Sequence, residues 1–103
     1  MMYGTIGVLH AKPGMEKRLV EEVRAEAEEA VMPGYISQYL YRTDADPNVY
    51  YLVVMFADKD SYVANARHPE QHQRYLRLIE LLEREPEWHD GEIAYPPGRD
   101  AGS

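Results

Sequence analysis

A chain of 103 residues suits one domain with one core, and its balance of 45% hydrophobic and 28% charged residues excludes a disordered chain. The absence of cysteine removes disulfides, thiolate nucleophiles, iron–sulfur clusters and cysteine-held zinc. A net charge of −7 has the wrong sign for phosphate backbones and anionic membranes, so no nucleic-acid or membrane partner is expected.

The N-terminal stretch MMYGTIGVLHAKPG lacks the basic start and long apolar run of a signal peptide. No segment reaches the roughly 18 apolar residues of a membrane span. A soluble, cytoplasmic protein is expected.

YGTIGVLHA (3–11) is partly β-branched and closed by KPG, which predicts a strand ending in a turn. Met15, Leu19, Val23, Ala27 and Val31 then recur every fourth residue, one stripe of a helix. Glu16, Glu21, Glu22, Glu26, Glu28 and Glu29 cover the rest and read as a solvated face. Pro33 and Gly34 stop this helix. YISQYLYRT (35–43) alternates, with Tyr35, Ser37, Tyr39 and Tyr41 on one face and Ile36, Gln38, Leu40 and Arg42 on the other. The polar turn DADPN (44–48) joins it to VYYLVVMFA (49–57), predicting an antiparallel hairpin.

Residues 58–83 read as a helix in two pieces. Asp58 or Asp60 caps the first piece. Pro69 suits the first position of the second, which puts His68 at its N-cap. Tyr75, Leu78, Ile79 and Leu82 form the apolar stripe, and His72 shares its inward side. REPEW ends the helix, with Trp88 just before a last strand in HDGEIAYP (89–96). The domain is expected over 1–97, with 98–103 a flexible tail.

The order β-α-β-β-α-β, with a split last helix, predicts an α+β, ferredoxin-like fold: a four-stranded antiparallel sheet with helices on one face. The strand at 49–57 is apolar on both faces, however. Pairing with an identical sheet would cover the second face, so a homodimer forming an α+β barrel is expected.

That order, together with KPGMEKRLVEEV, PGYISQYLYR and VYYLVVMFADKDSYVANARHPEQHQRY, resembles the antibiotic biosynthesis monooxygenase (ABM) family of small dimeric α+β barrels. The resemblance spans roughly residues 3–95 and lies in pattern rather than in one motif. It implies a pocket in each protomer between helices and sheet. Family members include cofactor-free oxygenases of polycyclic phenols, quinol oxygenases, haem-degrading enzymes and proteins of no known activity. The haem-degrading branch uses an asparagine, a tryptophan and a histidine. On alignment these fall near Gly7, Asn65 and Tyr75, and the chain departs from the pattern at all three.

The resemblance implies oxidation of a small aromatic phenol or quinol by dioxygen, with no cofactor. His72, Tyr75 and Asn65 are the candidates for proton transfer and orientation. Imidazole titrates near neutrality and suits a phenolic proton. Tyr39, Tyr41, Tyr51, Tyr62 and Trp88 are candidate aromatic walls, and Arg74 can hold a carboxylate or phenolate. The same tyrosines also suit core and interface packing, Asn65 a helix end, and Arg74 a surface pair with Glu70. No metal is expected: His68 and His72 stand four apart, but Pro69 diverts His68 to the cap and no compelling third ligand is near. The rival expectation is a non-catalytic binder of haem or another hydrophobic ligand, with His72 as axial ligand.

Overall fold

The computed structural model describes residues 1–29 and 32–95. The chain runs β1 (Tyr3–His10), α1 (Glu16–Glu29), β2 (Tyr35–Arg42), β3 (Val49–Phe56), α2 (Lys59–Ala66), α3 (Pro69–Ile79) and β4 (Glu87–Glu92). All pairings are antiparallel, in the order β2-β3-β1-β4. This is the expected ferredoxin-like α+β fold. The expected tail at 98–103 and the end of the first helix at 30–31 lie outside the described residues.

Local chemistry sets the boundaries. Gly14 (φ +85°) and Gly34 (φ +82°) take left-handed turns that other residues adopt only under strain. At Gly34 a side chain would also run into Ser61. Asp58 caps α2 by accepting the Ser61 N–H at 2.8 Å. His68 caps α3 through Nδ1, which accepts the Glu70 N–H at 3.1 Å, and Pro69 follows at the first turn. The close pair of histidines is thus a cap followed by a helical residue.

β3 lies between β1 and β2, and its alternation divides the molecule. Tyr50, Leu52 and Phe56 are buried beneath the helices, where Leu52 packs with Leu9, Leu19, Val23 and Leu78. Val49, Tyr51, Val53 and Met55 face the other way. By register they share that face with Ile6, Val8, Tyr39 and Tyr41. Ile6, Tyr39, Tyr41 and Tyr51 are exposed there, and the Tyr41 and Tyr51 rings stack at 6.0 Å.

Three boundaries differ from the sequence expectation. A bulge between Tyr35 and Ser37 shifts the β2 register, so Tyr35 leaves the face of Tyr39 and Tyr41 and packs edge-on against Phe56 at 5.8 Å. α3 stops at Ile79; buried Leu81 and Leu82 then form a tight turn, and Leu82 bridges Ala11. The last strand is Glu87–Glu92 rather than 89–96, because pairing with β1 begins at Val8 opposite Glu87.

That last shift puts Trp88 inside β4, directly opposite Gly7 of β1. Gly7 leaves room for the indole: a Cβ there would stand 2.7 Å from Cε3 of Trp88. Gly7→Ala should therefore displace the ring and cost about 1–3 kcal/mol, the range for overpacking. Trp88 is the chain's single tryptophan. Its emission should shift to the red and the urea midpoint should fall; an unchanged spectrum and midpoint would contradict this packing.

Candidate functional site

A cavity of about 260 Å³ lies between the helices and the sheet. Thr5, Gln38, Leu52, Val54, Phe56 and Trp88 supply the sheet side. Tyr62 and Asn65 come from α2, and Gln71, His72, Tyr75 and Leu78 from α3. Glu26 and Met32 close one flank. The three sequence candidates for chemistry, Asn65, His72 and Tyr75, therefore border one space with Tyr62 and Trp88. The space is a cleft partly open to solvent rather than a sealed void. Polar side chains in the wall fit a space that holds water or a polar-edged ligand.

Tyr39, Tyr41 and Tyr51 do not join this wall. The register sends them to the open face of the sheet, opposite the helices, and the buried Tyr50 is the member of its pair that turns inward. Arg74 borders an adjoining cavity of about 490 Å³ instead. That space shares Met32 and Asn65 with the first.

The polar groups in the wall are unequal. His72 is exposed, at the rim. Asn65 Nδ2 donates to Gln71 Oε1 at a long 3.5 Å, so both amides keep capacity for a ligand. Tyr62 donates its hydroxyl to Asp90 Oδ1 at 2.9 Å and packs against Phe56 and Tyr3. Burial, and then the neighbouring Asp90 carboxylate, push the Tyr62 phenol up to about 12, so it stays protonated and ties α2 to β4. The Tyr75 phenol is raised too, by burial first and Glu85 second, which leaves it a hydrogen-bond donor at neutral pH.

Sequence reasoning missed several polar wall residues, Thr5, Glu26, Gln38 and Gln71 among them. Thr5 is buried against Tyr62, and its hydroxyl pulls the Tyr62 phenol down against burial and Asp90. Glu26 is half-buried rather than part of a solvated face; burial raises its carboxyl above the ordinary value, against the opposing pull of Arg74. Its position three residues after buried Val23 was the available signal. Among the described residues no three His, Asp or Glu side chains converge to hold a metal ion. No described helix is long and apolar enough to cross a membrane.

A one-sided ferredoxin-like sheet with a polar-tipped cavity under its helices defines the class of protein. The family model for antibiotic biosynthesis monooxygenases matches residues 2–86, and the chain belongs to that family. Among solved structures, it is similar to a mutant of SnoaB, a cofactor-independent oxygenase from Streptomyces nogalater. The TM-score is 0.82 at 15% identity, over 95% of this chain and 98% of that one. A conserved protein from Methanosarcina mazei Go1 matches with a TM-score of 0.79 at 17% identity, over 89% and 92%. Rv0793 from Mycobacterium tuberculosis matches with a TM-score of 0.79 at 14% identity, over 95% and 100%. Likeness at these identities establishes the fold. A search of curated proteins returned no match.

The raised Glu26 carboxyl fixes the sign of a pH effect. Below its ordinary value of 4.5 the group is neutral whether the chain is folded or not. As pH rises the unfolded chain loses this proton first, so the folded state loses stability until pH passes its own higher value. Glu26→Gln cannot ionise and escapes that loss. The variant should melt above wild type near neutral pH, with the gap closing toward pH 4. A gap that widens on acidification would contradict the assignment.

Proposed function

We propose that this protein oxidises a small aromatic phenol or quinol with dioxygen in the cavity between helices and sheet, without a cofactor, as a cytoplasmic homodimer. The observation that carries the reading is the cavity wall: flat aromatic and aliphatic surfaces with Asn65, His72 and Tyr75 at its edge. Membership of a monooxygenase family and likeness in fold to a cofactor-independent oxygenase support it.

The chemistry asks little of the protein. Ground-state dioxygen is a triplet and reacts slowly with closed-shell molecules. A deprotonated phenol is electron-rich enough to give it one electron. Recombination forms a C–O bond, O–O cleavage follows, and a hydroxyarene plus O₂ yields a quinone plus water. The four electrons come from the substrate, so no external reductant enters. The protein must take a proton, orient the ring and exclude bulk water.

His72 is assigned the phenolic proton, since it is the wall's imidazole and a ring nitrogen can accept a proton there. Asn65 and Tyr75 are assigned as donors to the oxygen that gains charge. His72→Ala should lower kcat/KM for a responsive phenol or quinol about 100-fold, read by oxygen uptake. Absence of uptake across a panel of phenols and quinols would overturn the oxygenase reading. A haem Soret band that shifts in wild type but not in His72→Ala would favour a binding role instead.

The homodimer rests on the open face. Ile6, Tyr39, Tyr41 and Tyr51 are exposed together there beside Val53 and Met55, a continuous apolar surface that a monomer would leave wet. A second copy of the same sheet covers it by two-fold symmetry. In this reading the three tyrosines are interface rather than pocket residues. Val53→Asp would bury charge at the centre of that seam and should yield monomer by light scattering at micromolar concentration. A wild-type protein that is itself monomeric there would contradict the proposal.

A further inference from the structure

Arg74 is a buried cation whose hydrogen-bonding capacity is largely unspent. Its side chain is only 12% exposed. Nε is buried with no hydrogen-bond partner among the described residues. Among the described residues Nη2 reaches only the Met32 thioether, at 3.7 Å, a weak acceptor. Nη1 lies 4.0 Å from the Glu70 carboxylate, which is 77% exposed and free to swing into water. Nε and Nη2 form one edge of the planar guanidinium, and among the described residues no oxygen atom hydrogen-bonds to that edge, the Glu26 carboxylate acting on Arg74 only through its charge. Leaving charged donors dry is costly, so the edge is poised for an acceptor from outside the chain.

Arg74 lines the cavity of about 490 Å³ that adjoins the aromatic one across Met32 and Asn65, with its Nε buried and Met32 lying over Nη2. Met32 is the weak acceptor on Nη2, and its unbranched side chain repacks readily. An arm that displaces its sulfur would exchange a poor partner for a good one. The guanidinium edge matches a carboxylate, which takes two parallel N–H···O bonds.

We propose that the substrate is a hydroxyaryl carboxylic acid whose ring occupies the cavity under the helices and whose carboxylate docks on the Nε/Nη2 edge of Arg74. This rests on the aromatic reading of the first cavity and adds the acidic arm. A monoanion is favoured over a phosphate dianion because Glu29 and Glu70 border the same space and Glu26 lies near. The net charge of −7 also opposes a doubly charged ligand, so one well-aimed cation must outweigh a negative surround.

Isothermal titration with two probes of the same ring, 6-hydroxy-2-naphthoate and 2-naphthol, tests this near neutral pH. The acid should bind about tenfold tighter or more, the worth of a charge-assisted hydrogen bond. Arg74→Met should abolish that preference. Arg74→Lys, which keeps the charge but not the fork, should retain part of it, and serves where the methionine variant does not fold. Equal binding of the two probes by wild type, or a preference that survives Arg74→Met, overturns the carboxylate site and leaves the aromatic cavity standing. Binding of neither probe overturns both.

Discussion

The strict alternation of β3 is the constraint on which the rest depends. Side chains along a strand leave on opposite faces, so one run of apolar residues must furnish two surfaces. Tyr50, Leu52 and Phe56 anchor the helices, and Tyr51, Val53 and Met55 form the middle of the open face. A slip of one residue would exchange the two sets, sending Tyr51 under the helices and Phe56 into solvent. The hairpin turn resists such a slip: Thr43 Oγ1 donates to the Asp46 carbonyl at 2.7 Å, and Asp46 Oδ1 accepts the Asn48 N–H at 3.0 Å.

The cavity follows from how the helices meet that floor. α1 and the end of α3 reach the sheet through Leu19, Val23 and Leu78, at one end of the layer. The α2–α3 junction, broken by the His68 cap and Pro69, stands over the other. Trp88, folded over Gly7, shapes the sheet side of the gap. The loosely paired Asn65 and Gln71 amides border it, and Arg74 Nε is unpaired among the described residues beside the adjoining cavity. Unmet donors and an unfilled volume both cost stability, and binding sites are where proteins tolerate such costs.

The element order was legible because each local signal agreed with the fold: the spacing of α1, the KPG and MPG breaks, the proline at the start of α3 and the polar hairpin turn. His72, Tyr75 and Asn65 were legible as neighbours because two of them lie on one face of one helix and the third precedes its cap. The face taken by the tyrosines was not legible. Both faces of β3 are apolar, so only the pairing register, with its bulge after Tyr35, separates Tyr39, Tyr41 and Tyr51 from the pocket. Glu26 was hidden in an acidic run whose outer members do face solvent. Trp88 was missed as a strand residue because its β-structure comes from pairing with β1, and the flanking proline and charges mask that.

The central claim is that a flat aromatic molecule binds beneath the helices and not on the open sheet. Titrating ¹⁵N-labelled protein with 2-naphthol, followed by amide and indole chemical shifts, tests it most directly. The account predicts shifts concentrated at the Trp88 indole N–H and the amides of Asn65, His72 and Tyr75, with Tyr39, Tyr41 and Tyr51 unmoved. Shifts centred on those three tyrosines, or none at all, would contradict it.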